Sequence, residues 1–196
     1  MKTKHLILGL APALALAACG GNQTTTTTTN TTVDNLSGTE MPADTNMTDN
    51  AAMADAALSP AQKFANHVGA SDYYEIEAGK LAQEKAHDPK LKDFGKMMVE
   101  QHTATTDKLK AAGAKASPAI TPSPTLNAEQ EANLAALRAA DGAAFDTAYK
   151  AQQIAAHEKA LAEVKDYAAG TDPVFKGFAG DAVKLIQVHL TKIKSL

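Results

Sequence analysis

Three histidines and one glutamate are the side chains of this sequence best placed to do chemistry: Glu75, His102, His157 and His189. Each falls on an apolar stripe of helical period. Glu75 shares a face with Phe64, Val68, Ala78 and Ala82, and His102 with Leu91, Met98 and Leu109. His157 aligns with Ile154, Leu161 and Val164, and His189 with Phe178, Ala182, Ile186 and Ile193. Neutral imidazoles with a carboxylate suit a transition metal such as iron, manganese, copper or zinc. The same four residues also suit a buried polar network without an ion, in which the histidines bond to a hydroxyl or to Glu75. Residue type and spacing leave both readings open. Helical phase separates the other ionisable groups. Asp72 and Glu84 are expected to point away from the stripe, Glu77 lies off it, Glu100 is opposite His102, and Glu158 and Glu163 lie outside. His87 closes a helix, where a cation favours the dipole, and His67 is a flank position.

Four long helices must carry these groups. Ser59-Pro60, Asp88-Pro89 and Asp172-Pro173 each place a capping side chain before a proline suited to the first helical turn. Asn127, followed by Glu129 and Gln130, marks a further start. The expected helices run over about 60–86, 89–112, 143–169 and 173–195, with a short one over about 127–140 that breaks off at Asp141-Gly142. Aromatic content is 5 % and no stretch alternates, so strands are not expected. A residue or two joins the first pair and about three join the last, which makes each pair an antiparallel hairpin. The connection between the hairpins contains Pro118, Pro122 and Pro124 and is expected to be irregular. Two hairpins with one long crossover containing a short extra helix is an all-α, ferritin-like four-helix connectivity. Counted along these helices, Glu75, His102, His157 and His189 all fall near mid-bundle, level to within about one turn. The octamers "DPKLKDFG" and "DPVFKGFA" open equivalent helices and hint at an internal duplication.

The N-terminus is organised differently. Lys2 and Lys4 precede an apolar run from Leu6 to Ala18 that has the layout of a secretory signal. "LAAC", ending at Cys19, resembles the lipobox of bacterial lipoproteins, in which the cysteine is lipidated and becomes the new N-terminus; the other reading is an ordinary A-x-A cleavage that leaves Cys19 a free thiol. Cys19 is the single cysteine, so no intrachain disulfide can form. Gly20 rather than aspartate follows it, which by the usual sorting pattern implies the outer membrane. The stretch from 19 to 57 is rich in threonine, asparagine and alanine, contains five acids and no Lys or Arg, and reads as a disordered tether. The expected division is therefore a signal over 1–18, a lipidated tether over 19–57 and a helical domain over 58–196. The helical part is formally neutral, with no basic patch for nucleic acid. The expected partner is the membrane through the lipid anchor; a protein partner or homo-oligomer stays open with nothing to indicate it.

The segment "SDYYEIEAGKLAQEKAHDPKLKDFGKMMVEQHTATTDKL", the later "FDTAY", His157 and the "DPVFKGFA" helix with its histidine resemble a bacterial envelope family of unknown function. Members are often labelled outer membrane proteins, and the resemblance covers about residues 61–196. It implies a ferritin-like fold and a metal role; the two functions expected are a metal-binding or metal-linked redox or stress role, and a non-enzymatic envelope module whose inward histidines are structural. The sequence departs from di-iron proteins of that architecture, which carry Glu-x-x-His on two helices. Val99, Ile154 and Ile186 stand three residues before the histidines. That argues against a ferroxidase-type centre and leaves a single metal, a degenerate site or none. No phosphate loop, G-x-S-x-G elbow or free cysteine nucleophile points to another reaction.

Overall fold

The computed structural model describes residues 57–196, and all of its regular structure there is helical. The signal, Cys19 and most of the tether lie outside the described residues. Five helices follow in order: α1 (Pro60–Lys85), α2 (Pro89–Gly113), α3 (Ala128–Ala139), α4 (Gly142–Ala169) and α5 (Lys176–Ser195).

The local chemistry explains most boundaries. Ser59 accepts from the Gln62 amide at 3.1 Å and Asp88 from the Lys90 amide at 2.8 Å, each just ahead of a proline in the first turn. Asn127 and Gln130 close a reciprocal capping box on α3. Gly142 opens α4 with φ +54°, a conformation that suits glycine. The last boundary differs from expectation. Asp172 accepts from the Val174 amide at 3.0 Å and so closes a turn instead of capping a helix. Phe175 is fully buried against Phe64, and α5 begins only at Lys176. Burial of that ring, not the Asp-Pro pair, decides where the helix starts.

α1 packs along α2, and α4 along α5. The first hairpin turn is tied across the bundle, because the His87 and Asp88 amides each donate to Asp146 on α4 at 2.9 Å. The irregular connection after α2 lies against α1. Gln62 donates to the Thr121 carbonyl and Asn66 accepts from the Ser123 amide.

The interior has two apolar ends and a polar middle. One end gathers Tyr74, Ala78, Leu91, Phe94, Met98, Leu134, Leu137, Phe145, Tyr149 and Ile193. The other gathers Phe64, Val68, Leu109, Val164, Phe175, Ala182 and Ile186. Between them, Asp72, Glu75, His102, Thr105, Gln153, His157 and His189 are all buried. Buried polar groups are costly unless partnered. The partners in this layer therefore decide what it can do.

Candidate metal centre

Each long helix contributes to the polar layer at the height where its sequence passes from one apolar end to the other. α1 brings Asp72 and Glu75, α2 brings Gln101 and His102, α4 brings Gln153 and His157, and α5 brings His189. One ring nitrogen from each of His102, His157 and His189 lies within 4.8 Å of the others. All three histidines are buried, His189 completely.

The outer nitrogen of every imidazole is already occupied. His102 Nδ1 lies 2.7 Å from Asp72 Oδ1, whose second oxygen accepts from Thr106 at 3.0 Å. His157 Nδ1 lies 2.8 Å from the Gln153 carbonyl, with Glu75 Oε1 at 3.6 Å. His189 Nε2 contacts Gln101 Oε1. Carboxylate, carbonyl and amide oxygens only accept, so with Gln101 Oε1 turned toward His189 each outer nitrogen carries the proton. This assigns the tautomers from the hydrogen-bond network. It leaves the inner nitrogens of the neutral rings with lone pairs directed at one another. His157 Nε2 and His189 Nδ1 are 3.2 Å apart, and His102 Nε2 is buried with no hydrogen-bond partner. Three convergent lone pairs held by outer acceptors match the way proteins orient metal-ligating histidines.

Charge acts differently on the three rings. Burial would lower the His102 pKa, but its hydrogen bond to Asp72 and the Asp72 and Glu75 charges outweigh that and hold it above its ordinary value. Burial lowers His157, and Glu75 only partly offsets the fall. His189 is pushed down to about 2 by burial and by the two neighbouring histidines. The last two rings thus stay neutral at physiological pH, which is the ligating form.

The four residues singled out from the sequence are all in this layer, but their roles divide. The histidines converge. Glu75 stands behind His157, accepting from Gln153 Nε2 at 2.6 Å, and is not in the nitrogen cluster. Asp72 corrects the sequence reading outright: expected to face away, it is 2 % exposed and is the partner of His102. A helical wheel measures phase against apolar residues, and Asp72 faces α2 within the hairpin, at the border of the α1 stripe. Gln101 and Gln153 were also not singled out. Their signal was present, since Gln101 adjoins His102 and Gln153 precedes His157 by one turn. Glu84, Glu100 and Glu158 are exposed as expected. His67 pairs with Glu163 near the surface, and His87 is exposed at the hairpin turn.

The fold and site define an all-helical bundle with a buried tri-histidine centre backed by two carboxylates. The chain belongs to the family described as Domain of unknown function (DUF4142), whose model matches residues 46–196. No curated protein and no solved structure matches the sequence. None of the described helices is long and apolar enough to cross a membrane.

Proposed function

We propose that this protein is a lipid-anchored outer-membrane protein whose ferritin-like bundle binds one transition-metal ion through His102, His157 and His189, in a redox or stress-related role. The observation that carries the metal reading is the direction of the lone pairs. With every outer imidazole nitrogen committed to an oxygen acceptor, the inner nitrogens have no donor to face, and a cation is what they lack. Imidazole donors suit iron, copper or zinc, and Asp72 and Glu75 would set ring orientation and basicity from behind. The "LAAC" segment supports an anchor at Cys19.

A second reading rests on Gln101. Turning its amide round would let it donate to His189 Nε2, move that proton to Nδ1 and allow His189 to donate to His157. The layer would then be a structural polar network in a non-enzymatic envelope module. His102 Nε2 is still left without a partner, which favours the metal.

Elemental analysis of the purified full chain tests the two readings, together with thermal melts with and without added iron, manganese, copper and zinc. Specific binding raises the melting temperature by mass action. His102→Ala and His157→Ala should abolish that rise. If no ion co-purifies and the variants respond to metals as the parent does, the metal reading fails. Fatty-acid labelling of the chain and of Cys19→Ser tests the anchor, and equal labelling of both would exclude it.

A further inference from the structure

A cavity of about 30 Å³ lies beside the histidine cluster. His102 and His157 form part of its wall, with Asp72 and Glu75 also lining it and Val68, Val164, Ala182 and Ile186 supplying apolar surface. One water-sized atom needs roughly 10–15 Å³ of such space, so the cavity holds about two non-hydrogen atoms. Three histidine donors leave a tetrahedral ion one position short, the arrangement of sites that take an exogenous ligand.

We infer that this cavity is the exogenous-ligand position of the centre and that it takes a small uncharged molecule of about two non-hydrogen atoms. The inference rests on the metal reading above. Size sets the upper limit, and charge sets the class. Asp72 and Glu75 place two carboxylates around the centre, which balance a divalent ion held by three neutral imidazoles. An anionic ligand would enter a cavity whose wall already carries Asp72 and Glu75, and that uncompensated charge is costly. An uncharged ligand avoids that cost.

The inner cavity also shares a wall with a second one. A second cavity, of about 50 Å³, opens beneath the N-terminus of α3, where Asn127, Glu129 and Asn133 make its rim polar. It shares His67, Ser71, Ala156 and Ala160 with the inner cavity. Three of those four side chains have no more than two heavy atoms, so apart from the His67 imidazole only small groups separate surface from centre. Ala160 is itself partly exposed, and a larger side chain there can be added without opening the core.

The test uses the full chain loaded anaerobically with iron(II) and, separately, cobalt(II), then exposed to nitric oxide or to azide. Nitric oxide should give an optical and paramagnetic-resonance signature of a metal nitrosyl, and azide at the same concentration should leave the spectrum unchanged. Ala160→Leu should keep the metal stoichiometry and cut the nitrosyl fraction at least tenfold. Ala156→Leu serves as the second blocking variant. Azide binding as readily as nitric oxide, a loaded chain that forms no nitrosyl, or two loaded Leu variants that bind nitric oxide like the parent would each overturn the inference. The parent comparison decides even if both variants misfold. If neither ion loads and no iron, manganese, copper or zinc binds in the melts and elemental analysis, the metal reading and this one fall together, whereas loading without nitrosyl formation removes this one alone.

Discussion

The two hairpins do the same topological job with different means. In α1–α2 the helices meet at Gly79 and Gly95, so close that a Cβ on either would stand 2.7 Å from the other's carbonyl oxygen. In α4–α5 the position matching Gly95 in the repeated octamer is Ala179, which is fully buried, while Gly177 and Gly180 have open space around them. The electrostatics divide in the same way. The first hairpin holds both buried carboxylates and the histidine whose pKa is raised. The second holds the two histidines whose pKa values fall. A tight, anionic half thus faces a looser, neutral half. The centre lies where the two meet, with anions on one side and lone pairs on both.

Breaking the tight contact should give the largest effect. Gly95→Val drives a branched side chain into backbone that cannot yield, and urea denaturation should show a loss of about 3 kcal/mol or a failure to fold. If the variant is as stable as the parent, the close approach of α1 and α2 is not what holds that hairpin. Removing the anion that distinguishes the first half comes next. Asp72→Ala strips His102 of its buried partner. It should destabilise the protein by about 3 kcal/mol and weaken metal binding roughly 10–100-fold. Asp72→Asn should recover part of the stability, since the amide oxygen can still accept. Unchanged metal affinity in both variants would reduce Asp72 to a packing residue.

A pH titration of the metal-free chain sharpens the neutral half. The folded pKa values of His157 and His189 lie below the ordinary 6.5, so between pH 6.5 and about 2 the unfolded chain binds more protons. Stability should therefore fall as the pH drops below 6.5. His189 alone accounts for about 2 kcal/mol by pH 5, with His157 acting in the same sense. His102 works the other way: its contribution is full below 6.5 and fades as the pH rises through its raised folded value. A flat profile from pH 6.5 to 5 would show that these rings are not held neutral. The smallest effect belongs to the loose half. Gly180→Ala fills open space on a helix and should raise stability by about 0.5–1 kcal/mol. A loss instead would mean that α5 is as tightly packed there as α2 is at Gly95.

Much of this molecule was legible before any coordinates. The Asp88-Pro89 and Ser59-Pro60 starts, the Asn127 capping box and the break at Asp141-Gly142 are local signals, and local chemistry is enough to place them. Asp172-Pro173 shows the limit. It carries the same letters as Asp88-Pro89, yet α5 starts later because Phe175 is drawn into the aromatic cluster with Phe64 and Phe178. The octamer echo misleads at the site as well. In that register His102 matches Ile186, and His189 matches Thr105 one turn further on. The two helices supply their inward histidines from different turns.

Helical period determined that Glu75, His102, His157 and His189 are interior, because an amphipathic helix has one buried face and its residues can be counted. It could not rank them. Whether a carboxylate faces a metal position or the back of an imidazole depends on the azimuth and approach of four helices, which no single helix encodes. Only the tertiary structure set Asp72 behind His102, Glu75 behind His157 and Gln101 behind His189, and so brought one ring nitrogen of each histidine to within 4.8 Å of the others.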